Sequence, residues 1–296
     1  MARLKEIKSR LQSVQSTRKI TSAMMMVSSA KQKRAERVIV NLRPYTQALQ
    51  RILQPLLIKE EGQQAVSSPY MVERPVKRVA ILAFSSNSGL VGRFNENVTE
   101  KALETITQYQ SLGNENILFY AIGEKVAKGV QKKGIVVRND FLEHAEKPTY
   151  DNAYDIAQPL MNLFTRGEID QVELIYHHYL STRSQLLRRE TLLPIDFSEL
   201  EQTATEKGIH NLDYILEPDK IGLLEQLVPK ILQLKLYTAH VDSVTSEHAA
   251  RVIAMQIATD NADELIEELR LEYNKMRQQA ITNELLDIMG GTIGQR

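Results

Sequence analysis

The sequence contains no cysteine and no tryptophan, and aromatic residues make up only 6 % of its 296 residues. Without cysteine the chain forms no disulfide, no thiolate metal site and no cysteine nucleophile. No apolar run approaches the roughly 18 residues that a membrane span needs. The N-terminal stretch MARLKEIKSRLQSVQ is basic but has no uninterrupted apolar core, so we expect no signal peptide. These absences predict a cytoplasmic protein, or one that is peripheral on a membrane.

Glycine is distributed unevenly along the chain. The first glycine is Gly62, and none occurs between Gly222 and Gly290. A glycine inside a helix costs about 1 kcal/mol relative to alanine, so the two glycine-free ends favour long helices. Glycine in the middle favours turns between shorter elements. This distribution predicts a terminal helix, a central α/β domain and a second terminal helix.

A 3-4 spacing runs through the N-terminal segment and is typical of a coiled-coil seam. The seam consists of Leu4, Ile7, Leu11, Val14, Arg18, Thr21, Met25, Ser28, Gln32, Ala35, Ile39 and Leu42. It is apolar at both ends and largely polar in the middle, where a second stripe of Ile20, Met24 and Val27 lies beside it. We expect a helix to about residue 58 that presents different faces along its length, bent or ended early by Pro44 and Pro55.

The C-terminal segment has a looser seam that contains several small residues. Its members are Met255, Ala258, Ala262, Leu265, Leu269, Tyr273, Met276 and Ala280, followed by Ile281, Leu285 and Ile288. Small residues let a second helix approach closely. Pro229 predicts the start or a kink of this helix, and Gly290-Gly291 predicts its end.

The two ends of the chain carry opposite charge although the formal net charge is zero. Residues 1–43 hold eleven lysines and arginines against two glutamates, and residues 241–296 hold five basic against ten acidic residues. Such ends attract one another if they lie side by side. The alternative is that each charged set is a solvated helix face, and charge alone does not decide between the two.

The middle of the chain alternates between strand-like and helix-like segments. The predicted strands are 76–84, 117–122, 135–141, 172–180 and 185–194, the last two forming a hairpin. The predicted helices are 94–111, 124–133 and 150–165, and the polar segment 196–213 is a predicted loop. This alternation favours a mainly parallel sheet.

The turn SSNSGLVGRFN, at residues 85–95, is the strongest enzyme-like feature. It lies between a strand and a helix, where α/β folds bind phosphate. However, Gly89 and Gly92 give only G-x-x-G, without the further residues of a dinucleotide or P-loop motif. We favour a structural interpretation, a tight turn with close helix–strand packing, and keep a nucleotide-binding enzyme as an alternative.

Two other groups bear on chemistry. His177 and His178 are neighbours in a predicted strand, so they point to opposite faces and do not ligate one metal together. The basic run of Lys31, Lys33, Arg34 and Arg37 is able to bind phosphate backbones, but no aromatic residues interleave with it. We expect no metal and no cofactor, and keep a coiled-coil nucleic-acid-binding protein as a second alternative.

Several long segments together resemble the gamma subunit of F-type ATP synthases. The opening LKEIKSRLQSVQSTRKITSAMMMVSSAK resembles the first helix of that family. The closing TSEHAARVIAMQIATDNA and YNKMRQQAITNELLDIMGG resemble its last helix, and SSNSGLVGRFN resembles its glycine-rich turn. The segments occur in the family's order, and the resemblance spans essentially the whole chain.

The resemblance implies an α/β fold class with two parts. These are an antiparallel coiled coil of the N- and C-terminal helices and a Rossmann-like α/β domain with a mainly parallel sheet. It divides the chain into an N-terminal shaft helix at 1–60, the central domain at 75–195 and a C-terminal shaft helix at 210–290. It further implies a non-catalytic rotor shaft that couples ion flow to ATP synthesis or hydrolysis.

The resemblance also implies partners and contact residues. The partners are three alpha and three beta subunits, the epsilon subunit and the c-subunit ring, without nucleic acid, at the cytoplasmic face of the bacterial inner membrane. Contacts with alpha and beta fall on Met24, Lys31, Lys33, Arg34, Arg251, Gln278 and Thr282. Contacts of the foot with the c ring and epsilon fall on Tyr214 and Glu217.

Overall fold

The computed structural model describes residues 2–57, 68–197, 217 and 219–293. By its internal contacts the chain divides into two compact units. One unit contains Met1–Ser29 together with Arg251–Arg296, and the other contains Ala30–Ala250. The predicted division at 1–60, 75–195 and 210–290 follows secondary-structure elements instead, and it stays a prediction.

The first helix, α1, spans Ala2–Leu57 and continues through both prolines. The prediction that Pro44 or Pro55 ends it early is therefore wrong. A proline in a helix removes one hydrogen bond, to the carbonyl four residues earlier, which here belongs to Val40 or Arg51. Both of these residues are exposed, so water can replace the lost donor. Burial of leucines in the last turns, among them Leu53, holds the end of the helix in place.

The last helix, α5, spans Lys220–Ile293. It starts before Pro229 because Asp219 caps it: Oδ1 of Asp219 accepts a hydrogen bond from the backbone N–H of Gly222 at 2.7 Å. The prediction that the helix starts at Pro229 is wrong, and that proline lies inside it. The helix also continues past Gly290-Gly291, since glycine in a helix is disfavoured by only about 1 kcal/mol.

Within the first unit the two helices pair in antiparallel orientation along the predicted seam. The side chain of Arg18 contacts Asp263 at 2.7 Å, and the hydroxyl of Thr21 lies 2.8 Å from that of Thr259. Residue numbers rise along α1 while those of the contacting residues on α5 fall, which confirms the antiparallel pair. Ile7 on α1 and Leu269 on α5 are buried as the seam predicts.

The seam on α5 ends before the helix does. Continuing the observed register along both helices places the start of α1 opposite about residue 278 of α5. Ile281 and Leu285, predicted as seam residues, are accordingly about half exposed. That part of the prediction is wrong because Ile281 and Leu285 lie beyond the point where the described part of α1 begins. The side chain of Ile288 lies outside the described residues.

The second unit contains an α/β domain with five strands among the described residues. The strands are β1 (Val79–Phe84), β2 (Ile117–Ile122), β3 (Val137–Arg138), β4 (Gln171–Ser181) and β5 (Ser184–Leu193). The helices between them are α2 (Phe94–Gln108), α3 (Glu124–Gln131) and α4 (Tyr150–Thr165). The predicted loop at 196–213 lies almost entirely outside the described residues.

The strand order is β3-β2-β1-β4-β5, and only β5 runs antiparallel to its neighbour. This confirms the mainly parallel, Rossmann-like sheet. Strand β3 is much shorter than the predicted segment 135–141. It pairs with β2 at the edge of the sheet, and Asn139 and Asp140 follow it directly with a poor preference for strands. Val136, just before it, is 84 % exposed.

Successive residues of β1 serve two separate hydrophobic cores because strand side chains alternate between faces. Val79, Ile81 and Ala83 pack beneath α2 and α3. Ala80, Leu82 and Phe84 face a larger core, which α4, the end of α1 and the first turns of α5 complete. Both long helices are thereby packed into the α/β domain within the second unit.

We predict that the paired helices crosslink in antiparallel register. The double variant Thr21→Cys/Thr259→Cys places thiols where the two hydroxyls lie 2.8 Å apart, and the chain has no other cysteine. Mild oxidation should therefore form an intramolecular disulfide, detected by a mobility shift on a non-reducing gel.

The matched control is Ile20→Cys/Thr259→Cys, because Ile20 neighbours Thr21 but is 59 % exposed. It should give little crosslink under the same conditions. Equal crosslinking of both pairs would contradict the register described here.

Candidate functional site: exposed faces of the long helices

An apolar stripe is exposed on α1 away from its seam. Ile20, Met26 and Val27 are 59 %, 62 % and 57 % exposed, and Met24 is partly buried. Soluble helices rarely leave neighbouring large apolar residues in water unless they contact another surface. The stripe that the sequence predicted beside the polar part of the seam is therefore a candidate contact surface.

A basic row occupies another part of α1, in the second unit. Lys31, Lys33, Arg34 and Arg37 are all exposed. In contrast Gln32, a seam residue among them, is only 5 % exposed. The row therefore presents its charge outward, where it is available to an acidic partner.

The far end of α5 carries a second exposed apolar surface. Ile281, Leu285 and Leu286 are 48 % to 60 % exposed, beyond the start of α1 in the paired register. Gln278 and Thr282 lie on the same turns and are exposed. The hydroxyl of Thr282 donates a hydrogen bond to the backbone carbonyl of Gln278 at 2.9 Å, within the helix.

The remaining predicted contact residues are placed differently. Arg251 is only 8 % exposed, so its side chain is largely covered within this chain. Glu217 is exposed, whereas Tyr214 lies outside the described residues. The structure thus brings Gln278 and Thr282 together on one surface and does not bring Arg251 to that surface.

The turn at residues 85–95 stands where an open α/β sheet binds ligands, at the carboxyl end of β1 beside the change of strand order. Here the protein's own oxygens occupy the amino terminus of α3. The first N–H groups of α3 donate to Oδ1 of Asn87 at 3.0 Å, the carbonyl of Ser86 at 3.2 Å and Oγ of Ser85 at 3.0 Å. The turn thus satisfies the amino terminus of α3, which supports its structural interpretation. The amino terminus of α2, the helix that follows the turn, has no side-chain cap among the described residues.

The second half of the turn is held by side chains of its own. The backbone N–H of Ser86 donates to Oδ1 of Asn95 at 3.0 Å, and the hydroxyl of Ser86 donates to the carbonyl of Ser88 at 2.5 Å. Leu90 and Gly92 take positive φ values of 61° and 56°. Such a closed network explains the Ser, Asn and Gly content of this turn by backbone geometry.

The two neighbouring histidines point to opposite faces of β4, as the strand pattern predicts. The ring of His177 stacks on Phe94 of α2 with 4.3 Å between centroids, and burial lowers its pKa to about 4. The ring of His178 instead places Nδ1 2.5 Å from Oδ2 of Asp242 on α5. In the described part of the chain no cluster of three or more metal-ligating side chains occurs.

We predict that Gly123→Ala strongly destabilises the α/β domain. A Cβ at this position would lie 2.2 Å from the carbonyl oxygen of Ser85, and φ is +110°. The clash and the unfavourable backbone conformation together should lower the free energy of unfolding by about 3 kcal/mol or more, measured by urea denaturation of the full chain.

Gly134→Ala is the matched control. It also has positive φ, at +79°, but a Cβ there meets nothing within 4 Å. It should cost only about 1 kcal/mol. Equal losses in the two variants would show that the contact with Ser85 is not tight.

Comparison with known proteins gives one consistent family. The sequence model of the family described as ATP synthase matches residues 3–293. The ATP synthase gamma chain of Bacteroides fragilis is 53 % identical over 293 residues, which cover 99 % of this chain and 100 % of the relative. That of Christiangramia forsetii is 40 % identical and covers 98 % of each chain.

Solved structures show the same fold at low sequence identity. A chain of the Euglena gracilis mitochondrial ATP synthase, in an assembly of OSCP, F1 and c-ring, superposes with a TM-score of 0.65 at 18 % identity. That match covers 99 % of this chain and 95 % of the other. A chain of the Tetrahymena thermophila mitochondrial central stalk and c-ring gives 0.55 at 20 % identity, covering 81 % and 99 %. Given its full-length match to curated relatives, this chain belongs to the ATP synthase gamma chain family.

Proposed function

We propose that this chain is the central rotor shaft of an F-type ATP synthase and mechanically couples ion flow through a c-subunit ring to ATP synthesis or hydrolysis at beta subunits. The observation that carries the proposal is an antiparallel helix pair with unequal exposed faces, in a chain matched end to end by gamma chains. A shaft that holds three identical partners in different states has to present a different surface to each of them. The apolar stripe on α1 supplies one such difference.

The seam suits a stiff shaft. Its apolar ends hold the helices together, and the contact between the hydroxyls of Thr21 and Thr259 favours this register because it is lost on a slip. Each hydroxyl also bonds a carbonyl of its own helix, that of Arg18 or Met255, so the preference is modest. The Arg18–Asp263 ion pair is about half exposed and adds little stability. It nevertheless connects the basic end of the chain with the acidic end.

Contact with the alpha and beta subunits is assigned to residues on both long helices. The residues are Met24, Lys31, Lys33, Arg34, Arg251, Gln278 and Thr282. Exposure supports all of them except Arg251, which is covered within this chain, and Met24, which is partly covered. Tyr214 and Glu217 are assigned to the foot, which meets the c ring and the epsilon subunit.

The chain itself is proposed to carry no catalytic residue, with ATP chemistry on the beta subunits. The self-satisfied turn at residues 85–95 supports this, because its groups bind one another. Among the described residues no helix is both long and apolar enough to cross a bilayer. We place the protein at the cytoplasmic face of the inner membrane, held there peripherally through its complex.

Reconstitution tests the proposal. The full chain, co-expressed with alpha, beta and epsilon subunits and bound to membrane vesicles that retain the c ring with the stationary membrane subunits, should restore ATP-driven ion pumping. Omission of the chain should abolish pumping, because nothing would then connect the catalytic subunits to the ring. Undiminished pumping without the chain would refute the proposal, and saturable ATP binding by the isolated chain in calorimetry would favour an enzyme instead.

A second prediction concerns the contact residues at the end of α5. In the assembled complex Thr282→Ala combined with Gln278→Ala should lower coupled turnover roughly twofold to tenfold, since each hydrogen bond is worth about 1 kcal/mol. Assembly should remain intact because both residues are exposed. Thr282→Ser keeps the hydroxyl and is the matched control; unchanged turnover in the double variant would remove both residues from the contact surface.

A further inference from the structure

Strands β4 and β5 extend beyond the rest of the sheet. The pairing between β1 and β4 ends at Ala83 and Ile175. Beyond it β4 and β5 continue as a ladder of two strands, with Tyr176 opposite Arg188 and Ser181 opposite Ser184. We call this part of the hairpin, residues 176–188, the hairpin arm. A ladder of two strands is only marginally stable by itself, so the arm depends on what it packs against.

On one side the tip of the arm is bound to α1 by a cluster of four polar residues. Nε2 of Gln32 donates to the hydroxyl of Tyr179 at 3.1 Å and to Oγ1 of Thr182 at 2.7 Å. The same Nε2 lies 2.9 Å from Oε1 of Glu36, which also accepts a hydrogen bond from Tyr179. Burial, with the hydrogen bond to Glu36, raises the pKa of Tyr179, so its hydroxyl stays a donor.

The arm is bound to α5 as well. Nδ1 of His178 lies 2.5 Å from Oδ2 of Asp242, whose side chain is only 4 % exposed. One turn further along α5, the hydroxyl of Ser246 donates to the backbone carbonyl of His177 at 3.1 Å. At the base of the arm Lys235 contacts Glu190 at 2.8 Å. Both long helices therefore have directional contacts with one hairpin.

On α5 these contacts adjoin the apolar core, but on α1 they lie far from it. On α1 the residues from Gln32 to Leu53 span about 30 Å at 1.5 Å per residue, and Leu53 belongs to that core. Apolar packing is not directional, whereas hydrogen bonds weaken steeply when their angles change. Two attachments at such a separation resist twisting and bending of the helix relative to the sheet more than one attachment does.

We propose that the hairpin arm transmits torque between the α/β domain and the two long helices, with Gln32, Glu36 and Tyr179 as its positioning residues on the α1 side. The inference rests on the proposed function of the chain as a rotor. It goes beyond that function by naming the internal connection through which rotation passes. When the cluster is broken, the chain remains assembled but becomes torsionally softer.

The test measures torsional stiffness in the assembled complex. A bead is attached through Val136→Cys, a position 84 % exposed in a chain without cysteine. The alpha and beta subunits are fixed to glass and the angular variance of the bead is recorded without ATP. In Tyr179→Phe/Glu36→Ala the variance should rise about twofold, while the rate of ATP hydrolysis stays within error of the parent. Variance equal to that of the parent would overturn the inference.

Two controls separate positioning from general damage. Glu36→Gln keeps an oxygen that accepts from Tyr179 and should retain the parent variance. Arg183→Ala changes an exposed residue of the same turn and should also have no effect. If the angular variance rose as much in Arg183→Ala as in the double variant, the cluster would not be what stiffens the arm, and the inference would be overturned.

A milder variant covers the case in which the double variant does not assemble. Thr182→Val keeps the shape of the side chain and removes only the hydrogen bond that Gln32 donates at 2.7 Å. Its variance should lie above that of the parent, and an equal value would contradict the inference. A parent bead that does not turn when ATP is added refutes the proposed function itself; a turning bead with unchanged variance in these variants refutes only the role of the arm.

Discussion

The pairing of α1 with α5 depends on a seam that is apolar at its ends and polar in its middle. A purely apolar seam would tolerate a slip of one turn, since aliphatic side chains substitute for one another at modest cost. Polar contacts across the middle distinguish the registers, because a slip would break both the Thr21–Thr259 hydroxyl contact and the Arg18–Asp263 ion pair. Register in turn decides which residues remain outside. The exposed stripe with Ile20 and the exposed end of α5 with Leu285 both follow from it.

The α/β domain has the topology of a nucleotide-binding fold, but its turn after β1 is used to bind a neighbouring helix. Its helix amino terminus at α3 is satisfied by Ser85, Ser86 and Asn87, and Gly123 allows the two turns to approach closely. The hairpin beyond the sheet contacts both long helices instead. These contacts attach both helices to the sheet, which is consistent with a shaft whose base has to be held firmly.

Much of this architecture is local in sequence and was therefore predictable. Heptad spacing identified the paired part of the seam, with Ile7, Thr21 and Leu269, and apolar runs identified β1 and β2. Local rules failed where a neighbour in space decides. Pro44 is tolerated inside a long helix, and Ile281 is half exposed because it lies beyond the point where the described part of α1 begins. Asp219 is a residue type that commonly caps helices, so the start of α5 before Pro229 was predictable from it. The Gln32–Thr182 contact joins residues 150 positions apart, and no local sequence pattern predicts it. The proposed contact residues, Lys33 among them, would be defined by a partner's surface and not by this chain.

The proposed function requires that the helix pair turn as one shaft inside its partners. The most direct measurement is the polarised fluorescence of a single dye on Val136→Cys in surface-bound complexes that are hydrolysing ATP. The account predicts rotation in one direction with three dwell orientations per turn, one for each beta subunit. A dye orientation that stays constant while ATP is hydrolysed at the full rate would contradict it.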